Sequence, residues 1–140
     1  MEKMKIRVEA IVKADLDAVW HAWNNPADIK QWNAASDDWH TTESRVDLRE
    51  GGTFLSRMEA KDRSMGFDFS GTYTKIVEKK SLDYSLGDRS VQVRFTPVED
   101  GVRIEETFEA ESQNPAELQR QGWQSILNNF ARHVESRQSK

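Results

Sequence analysis

The sequence predicts an α+β domain in which a curved antiparallel sheet of about six to seven strands wraps around one long C-terminal helix. Three observations indicate this class. Segments of alternating apolar residues follow one another from residue 43 to residue 110, one amphipathic stretch spans residues 114–137, and two short helical segments follow the first strand. Short turns between successive strands are typical of an antiparallel meander. Because one face of such a sheet is apolar, it needs a cover, which the long helix can supply.

The chain begins with one predicted strand and two predicted helices. In residues 5–12 apolar side chains alternate with polar ones, which is typical of a half-buried strand. Asp15 can cap a helix over residues 16–23, and Pro26 can begin a second helix that ends near Trp32. The residues expected on the buried face of the strand are Ile6, Val8, Ala10 and Val12.

The middle of the chain is predicted to be a loop followed by strands. Residues 33–40 show no periodicity, which indicates a loop. Turn sequences that contain glycine and charged residues then separate the apolar segments. A glycine inside a strand, as at Gly71, indicates a bend or the close approach of another group. The predicted strands cover residues 43–48, 53–60, 65–77, 81–86, 91–97 and 102–110.

The C-terminal stretch is predicted to be one helix over residues 114–137. Asn114 is suited to its N-cap and Pro115 to its first position, and Glu117 can complete a capping box. Gly122 lies in mid-helix, where glycine costs about 1 kcal/mol against alanine. It therefore either lets a strand approach closely or leaves volume for a ligand. The apolar stripe of this helix comprises Leu118, Gly122, Trp123, Ile126, Leu127, Phe130 and Val134.

Composition limits the class of protein. A chain of 140 residues is expected to form a single domain over residues 1–140. It contains no cysteine, which excludes a disulfide framework, a cysteine zinc site and a thiol nucleophile. A net charge of -4 with interspersed signs argues against nucleic-acid binding. No segment approaches the roughly 20 apolar residues of a membrane span, and the N-terminus lacks the apolar run of a signal peptide. We therefore expect a cytoplasmic protein, acting as a monomer.

Several segments, in their order along the chain, resemble one superfamily. They are Val19-Trp20-His21-Ala22-Trp23, Pro26 with Ile29 and Trp32, Asp38-Trp39-His40, Asp47-Leu48-Arg49-Glu50-Gly51-Gly52, Gly66-Phe67-Asp68-Phe69-Ser70-Gly71-Thr72-Tyr73 and Gln121-Gly122-Trp123. Nearly the whole chain resembles the START-like helix-grip (SRPBCC) superfamily, in the branch similar to the C-terminal domain of the activator of the ninety-kilodalton heat-shock protein ATPase. The resemblance implies a helix-grip fold with an apolar cavity between sheet and helix. It implies no catalytic residues, because members of the superfamily share no single set.

Aromatic and other apolar side chains are the first candidates for a binding site. On the inner face they can line a pocket for an apolar or aromatic ligand, or simply pack in the core. Trp39, placed in a polar loop, is the candidate gate. The candidate ligand-binding residues are Trp32, Trp39, Phe54, Met58, Phe67, Phe69, Tyr73, Phe95, Glu106, Gly122, Trp123 and Ile126.

Glu106 is the candidate polar anchor. In the strand alternation it falls on the same face as the apolar residues Ile104 and Phe108. A carboxylate on an inward face is costly unless it is paired or hydrated. It can serve as an anchor or as a general acid or base in the cavity. Alternatively, a strand end or bulge turns it outward, or an arginine pairs with it. Asp68, between two phenylalanines, is expected to face outward by parity.

Asp37, Asp38 and His40 form a further candidate group. A histidine near carboxylates can hold a metal or act in an acid–base pair, but this spacing matches no ligand motif, so we expect a loop salt bridge or a solvated histidine. His21 and His133 lie on predicted helices without a second histidine at i+4. The sequence also lacks the motifs of serine hydrolases, phosphate-binding loops and dinucleotide-binding folds. No metal or cofactor is expected.

The expected function is binding of a small hydrophobic molecule, aromatic or lipid-like, between the sheet and the C-terminal helix. Burial of apolar ligand surface would supply roughly 25 cal/mol per Å², with Glu106 as the polar anchor. Two alternatives stay open: a polyketide-cyclase-like or hydrolytic enzyme that uses the same cavity, and a protein-interaction module that modulates a chaperone ATPase. The chaperone module ranks last, because a chain of 140 residues leaves no room for a second, chaperone-docking domain.

Overall fold

The computed structural model describes residues 4–34 and 36–138, and in this part of the chain seven strands form one antiparallel sheet accompanied by three helices. The predicted α+β class, with two short helices after the first strand and a long C-terminal helix, is confirmed. The elements in chain order are β1 (Lys5–Val12), α1 (Leu16–Asn24), α2 (Pro26–Trp32), β2 (Trp39–Val46), β3 (Thr53–Ala60), β4 (Gly66–Val77), β5 (Ser81–Leu86), β6 (Arg89–Val98), β7 (Gly101–Glu109) and α3 (Ala116–Gln138).

The sheet has the strand order β1-β7-β6-β5-β4-β3-β2, so β2 to β7 form a meander and β1 joins it beside β7. The long helix α3 covers β1. Arg120 Nη1 donates to the Arg7 carbonyl at 2.9 Å, and Gln124 Nε2 donates to the Glu9 carbonyl at 3.0 Å. These bonds protect an edge strand that could otherwise pair with another chain. Among the helices formed by residues 4–34 and 36–138, none combines the length and apolar character that a membrane crossing requires.

The inner face of the sheet follows the alternation seen in the sequence. Every second residue of β1, β6 and β7 turns inward, which produces a continuous apolar surface. Helix α3 covers part of it with Leu127, Phe130 and Val134, each no more than 2% exposed. The buried apolar residues on the three strands are Ile6, Val8, Val12, Val91, Val93, Phe95, Val102, Ile104 and Phe108.

Aromatic rings fill the space where α1 and α2 meet α3. The Phe130 ring packs edge-on against Trp23 and Trp32, with centroids 4.9 Å apart in both pairs. Trp20 and Trp23 in turn pack edge-on against Phe95 of the sheet, at 5.3 and 5.7 Å. Edge-to-face pairs add stabilisation beyond the area that they bury. This cluster therefore anchors both short helices on the core.

The start of β2 differs from the prediction. Trp39 and His40, predicted to lie in a loop, are the first residues of β2, and they pair with Ala60 and Glu59 of β3. A register shift between Thr41 and residue 43 interrupts the alternation at this point. A bulge of this kind moves side chains from one face to the other, so the strand period is not visible in the sequence before residue 43.

The start of α3 also differs from the prediction. The helix begins at Ala116, and the capping box between Asn114 and Glu117 is not formed. The backbone N–H and side-chain amide of Asn114 instead donate to Glu111 Oε1, at 2.7 and 3.0 Å, while Glu117 lies 3.6 Å from Arg120 in an ion pair. The carboxylate that accepts the hydrogen bonds of Asn114 thus belongs to Glu111, in the loop before α3.

Leu118 does not belong to the buried stripe of α3. It is 55% exposed, whereas its neighbour Gln119 is buried. Gln119 Nε2 donates to the carbonyls of Asn114 and Glu111, at 2.8 and 3.1 Å, and its Oε1 accepts from the Glu111 N–H at 2.9 Å. The inward position here faces the polar backbone of a loop, and buried backbone groups need hydrogen-bond partners. Glutamine can supply these hydrogen-bond partners, whereas leucine cannot.

A buried carboxylate joins α2 to α3. Asp28 Oδ1 lies 2.8 Å from His133 Nε2 and 3.6 Å from Arg137 Nη1, and Oδ2 accepts from Asn25 Nδ2 at 2.8 Å. Burial by itself would raise the pKa of Asp28, but the hydrogen bonds from Asn25 and His133 and the charge of Arg137 outweigh it, so the pKa lies below the ordinary 3.8. Asp28 therefore remains ionised in the folded protein and holds the two helices together.

Candidate ligand-binding cavity

A cavity of about 370 Å³ lies between the inner face of the sheet and the helices. Its volume falls within the range of small-molecule sites in proteins, about 300–1,000 Å³. Every element of the fold except β1 contributes to its wall. The apolar and aromatic lining consists of Trp23, Ile29, Trp32, Val46, Phe54, Met58, Phe67, Phe69, Tyr73, Leu82, Tyr84, Trp123 and Ile126.

Phe54 is the centre of the aromatic wall. Its ring lies 4.9 Å from Tyr84, 5.4 Å from Tyr73 and 5.8 Å from Phe69, measured between ring centroids. Phe54 pairs across the sheet with Gly71, and a Cβ on Gly71 would lie only 2.8 Å from the Phe54 ring and 2.5 Å from the Ser85 carbonyl oxygen. The predicted close approach of another group at Gly71 is thus confirmed.

Gly71→Ala is expected to destabilise the protein by about 1–3 kcal/mol, because the new methyl group cannot avoid both a fixed backbone oxygen and a packed ring. Urea unfolding at neutral pH measures the difference in the free energy of unfolding. A variant as stable as the parent protein would show that the sheet gives way at this point, and would contradict the close packing.

Gly122→Ala is the matched control, since a Cβ at Gly122 would meet nothing within 4 Å. We expect this variant to gain roughly 0.5–1 kcal/mol, because alanine is the better helix former. The same observation shows that the first interpretation of Gly122, the close approach of a strand, is wrong. Gly122 also does not line the cavity. The space next to it lies outside the cavity wall that α3 provides.

Trp123 and Ile126 form the wall contributed by the middle of α3. The indole of Trp123 stacks on Phe108 of β7, with centroids 3.9 Å apart and planes 10° from parallel. It also meets the Phe69 ring of β4, with centroids 6.3 Å apart and planes 78° from parallel. Trp123 thus contacts strands from both halves of the curved sheet across the cavity.

The exposed residues of the lining mark where the cavity meets solvent. Phe67 is 49% exposed, and the Arg45 side chain is largely in solvent. Trp39 packs against the Phe67 ring at 5.8 Å but is not part of the cavity wall. Its place beside a residue of the opening is compatible with a role at the entrance, and that role stays a prediction.

Hydrogen bonds fix several polar groups of the wall. Asn33 Nδ2 donates to Ser56 Oγ at 3.3 Å, and the Asn33 carbonyl accepts from Thr41 Oγ1 at 2.7 Å. Glu111, Asn114 and Gln119 hold one another in the loop before α3 and also line the cavity. The first two bonds tie the end of α2 to β3 and β2, and the others fix the start of α3 beside the same space.

Glu106 faces the cavity and is 6% exposed. Its cross-strand neighbours are Val8 and Val93, and no hydrogen bond or ion pair reaches its carboxyl group from residues 4–34 and 36–138. Burial raises the pKa of Glu106 from 4.5 to about 8, so the carboxyl group is mainly protonated at neutral pH. The interpretations that turn Glu106 outward or pair it with arginine are wrong. Asp68 does face outward, and it pairs with Arg57 at 3.3 Å.

Two tyrosines share this wall. Burial, and the charge of Asp47, raise the pKa of Tyr73 to about 12. Burial, and then the charge of Glu106, raise the pKa of Tyr84 well above 10. Both hydroxyl groups are therefore protonated across the physiological range, and each is available as a hydrogen-bond donor.

Nine of the twelve candidate residues line the cavity. Phe95 does not, because the rings of Trp20 and Trp23 cover it and it is 3% exposed. Trp39 and Gly122 lie outside the wall, as described above. The nine residues whose side chains the fold brings together are Trp32, Phe54, Met58, Phe67, Phe69, Tyr73, Glu106, Trp123 and Ile126. Their role in binding stays a prediction.

Several lining residues were missing from the candidates. Tyr84 and Arg89 share the inward parity of Leu82 and Val91, so the strand period contained the signal that could have identified them. Gln119 carried no such signal, because a polar residue on a helix indicates a solvated face unless the loop opposite is known.

Asp37, Asp38 and His40 are all exposed, and the Asp38 carbonyl accepts from the Lys61 N–H at 2.8 Å. Residues 4–34 and 36–138 hold no group of three or more histidine, aspartate or glutamate side chains arranged to bind a metal. His133 has its partner on another helix, in Asp28, and not at i+4 on its own.

Comparisons with known proteins agree with this architecture. A family described as activator of Hsp90 ATPase homolog 1-like protein matches residues 13–135. The solution NMR structure of the AHSA1-like protein from Aeromonas hydrophila is 48% identical, with a TM-score of 0.91 over 98% of this chain and 96% of that one. A protein from Cytophaga hutchinsonii is 42% identical, with a TM-score of 0.78 over 98% and 94%. No curated protein sequence matches the chain.

A protein from Chromobacterium violaceum, 23% identical with a TM-score of 0.85 over 94% of this chain and 98% of that one, shares the fold. The predicted resemblance to the START-like helix-grip superfamily is confirmed by the curved sheet, the long helix and these relatives. The family match extends from the end of β1 to the last turns of α3, and so includes the whole cavity wall. The chain therefore belongs to the family of activator of Hsp90 ATPase homolog 1-like proteins.

Proposed function

We propose that this protein binds a small hydrophobic molecule, with an aromatic or lipid-like body, in the cavity between the sheet and α3. The observation that carries the proposal is the cavity itself, which has an aromatic wall and a buried carboxyl group. Protein interiors are otherwise close-packed, and each unfilled volume costs stability. A space of about 370 Å³ inside such a core therefore calls for an occupant.

The apolar wall supplies most of the binding free energy in this proposal. Each Å² of apolar ligand surface removed from water contributes roughly 25 cal/mol, against which association costs several kcal/mol in lost freedom of motion. Rigid aromatic rings such as Phe54, Phe69 and Trp123 lose little side-chain entropy when a ligand contacts them, because they already pack against one another. The polar groups then orient the ligand.

The test uses the neutral fluorescent probe N-phenyl-1-naphthylamine, whose emission rises in apolar surroundings. We expect the parent protein to bind it, and Ile126→Trp to weaken binding by at least about tenfold, because the larger side chain takes up part of the cavity. Leu118→Trp is the matched control. It makes a comparable change on the same helix, but at an exposed position outside the cavity wall, and is expected to bind as the parent does.

Chemical-shift mapping of the unmodified protein with the same probe makes the test independent of how well Ile126→Trp folds. Shifts of Phe54, Phe69, Tyr84 and Trp123 would support the proposal. Absence of binding, or shifts that lie only outside the cavity wall, would overturn it.

An enzymatic function in the same cavity is the second candidate, and Glu106 is the observation that favours it. A carboxylic acid with a raised pKa in an apolar cavity is suited to proton transfer. A cyclase-like or hydrolytic reaction would require turnover that Glu106→Gln abolishes while ligand binding persists. Binding and turnover that are both unchanged in Glu106→Gln would exclude this residue as the acid or base.

A further inference from the structure

Three side chains on the cavity wall end in oxygen groups that have no hydrogen-bond partner in the part of the chain that the structure describes. Glu106, Tyr73 and Tyr84 are each at most 7% exposed and all line the cavity. From residues 4–34 and 36–138, no hydrogen bond reaches the carboxyl group or either hydroxyl. Buried polar groups in proteins are ordinarily hydrogen-bonded, so oxygen groups that lack a protein partner and line a cavity can bind water or the polar head of a ligand there.

Other polar groups of the lining already have protein partners. Asn33 donates to Ser56 at 3.3 Å, and Arg89 Nη1 donates to the Glu109 carbonyl at 3.0 Å. Gln119 is fully used by the loop before α3. A ligand that bound these groups would have to replace existing bonds, whereas Glu106, Tyr73 and Tyr84 have bonds to gain.

The three groups lie on one region of the sheet. Tyr73 of β4 pairs directly with Tyr84 of β5. Tyr84 pairs with Val91, whose other cross-strand partner is Phe108, two residues from Glu106 and on the same face. The charge of Glu106 also raises the pKa of Tyr84, after burial, so the two groups are in electrostatic contact. Tyr84 thus lies between the other two groups, which makes it the first partner expected for the polar head of a ligand.

All three groups are donors at neutral pH. Glu106 is mainly protonated, because burial raises its pKa to about 8, and both tyrosines keep their hydroxyl protons. A carboxylic acid that an apolar site keeps neutral can donate a hydrogen bond as a tyrosine does. The complement to three O–H donors is an acceptor oxygen.

We propose that the cavity, in the binding function proposed above, selects ligands whose apolar body carries a neutral oxygen head, and that it discriminates against a carboxylate head of the same shape. A carboxylate would bring a full charge to a wall where Glu106 lies between Val8 and Val93, and burial of an uncompensated charge is costly. A neutral oxygen accepts the same bonds without that cost.

The remaining charged groups of the wall decide whether this cost is offset. They are Arg45 from β2, Arg89 from β6 and Glu111 from the loop before α3; β3, α1 and α2 contribute none to the described lining. Arg45 pairs with Glu43 at 2.9 Å in solvent, where an ion pair contributes little. Arg89 is bound to the backbone of β7. Arg89 uses one of its N–H donors on a neutral backbone oxygen and its charge acts on Tyr84, so it is the group that could compensate a carboxylate head, and the experiment below includes that outcome.

The experiment compares 2-naphthamide with 2-naphthoate, which have the same shape and differ in charge, and uses naphthalene as the ligand without a head. Calorimetry at about pH 6.5 is expected to give 2-naphthamide a dissociation constant at least about tenfold lower than either of the others. Its affinity is expected to fall severalfold as the pH rises through about 8, because Glu106 then loses its donor. Glu106→Gln, which keeps an N–H donor, should bind without this pH dependence, and Tyr84→Phe should bind severalfold more weakly.

The outcomes separate this inference from the proposal on which it rests. If 2-naphthoate binds as tightly as 2-naphthamide, or if its binding depends on Arg89, the inference about the head group is overturned while the binding function stands. If neither compound binds and N-phenyl-1-naphthylamine also fails to bind, the binding function itself is overturned. Thermal unfolding of each variant, in the absence of ligand, identifies those that do not fold and excludes them from the comparison.

Discussion

Glu106→Gln is expected to stabilise the protein by several kcal/mol at about pH 9 and to change its stability little at about pH 5. In the parent protein the apolar surroundings of Glu106 oppose ionisation, and its pKa rises from 4.5 to about 8. At about 1.4 kcal/mol per pKa unit, a shift of this size corresponds to a penalty on the order of 5 kcal/mol once the carboxyl group is ionised. Glutamine has a similar shape and no proton to lose.

The sign of this pH dependence follows from the number of protons that the folded and the unfolded protein bind. Between pH 4.5 and about 8 the folded protein keeps the Glu106 proton that the unfolded chain has already released. Stability therefore falls as the pH rises across this window, and the loss is complete above it. Below 4.5 both states are protonated, so the parent protein and the variant should have nearly equal free energies of unfolding.

Urea unfolding at about pH 5, 7 and 9 measures this difference. The control is Glu105→Gln on the same strand, where the side chain faces outward and lies 2.7 Å from Arg7. Loss of that partly exposed ion pair, in which the Arg7 side chain is largely in solvent, should change stability by less than about 1 kcal/mol. If the Glu106→Gln variant and the parent protein show the same pH dependence of unfolding, the burial of Glu106 in apolar surroundings is contradicted.

Asp28→Asn is expected to destabilise the protein by about 2–3 kcal/mol at neutral pH, with a smaller loss in acid. The carboxylate receives hydrogen bonds from Asn25 and His133 and lies 3.6 Å from Arg137. An asparagine amide can replace one acceptor oxygen but puts a donor in place of the other, and it carries no charge. The contact that holds α2 against α3 is therefore weakened.

The contribution of Asp28 to stability changes with pH in the opposite direction to that of Glu106. The pKa of Asp28 in the folded protein lies below the value of 3.8 for the free side chain. The stability that Asp28 contributes is present above pH 3.8 and is lost as the pH falls through the lowered pKa of the folded state. The parent protein and Asp28→Asn should therefore become more alike in stability toward low pH.

Denaturant unfolding at about pH 7 and at about pH 3 distinguishes this effect from a general loss of packing. Asp37→Asn, at an exposed position, is the control and should leave stability unchanged within about 0.5 kcal/mol. His133→Gln, which removes the partner of Asp28, should reproduce most of the loss. A deficit in Asp28→Asn that is equally large at both pH values would contradict a stabilising role of the charge.

Most elements of the fold could be predicted from the sequence because their signals are local. The alternation in β1, β6 and β7 and the breaks at Asn25-Pro26, Gly51-Gly52 and Gly87 depend on residues next to one another. The prediction was wrong where a distant partner mattered. Trp39 joins the sheet through pairing with β3, and Glu111 rather than Glu117 satisfies Asn114. Neither contact produces a periodic pattern in the sequence.

The candidate site shows the same difference between local signals and contacts with distant residues. Phe54 and Phe95 both lie at inward positions of their strands, and the sequence offers no means of telling them apart. In the folded protein Trp20 and Trp23 cover Phe95, whereas Phe54 stays at the cavity. Which part of the inner face is filled and which is left open depends on where α1 and α3 place their large side chains.

The class of fold and the apolar character of the strand face around Glu106 could be read from the sequence, because strand periodicity assigns each side chain to one face, but the sequence left open whether Glu106 itself turns inward. Only the tertiary structure decided that Glu106, Tyr73 and Tyr84 share one cavity wall, and that Asp28 meets His133 across 105 residues of sequence. The physical reason is that burial and pairing depend on neighbours brought together by folding. The raised pKa of Glu106 and the lowered pKa of Asp28 are consequences of those neighbours.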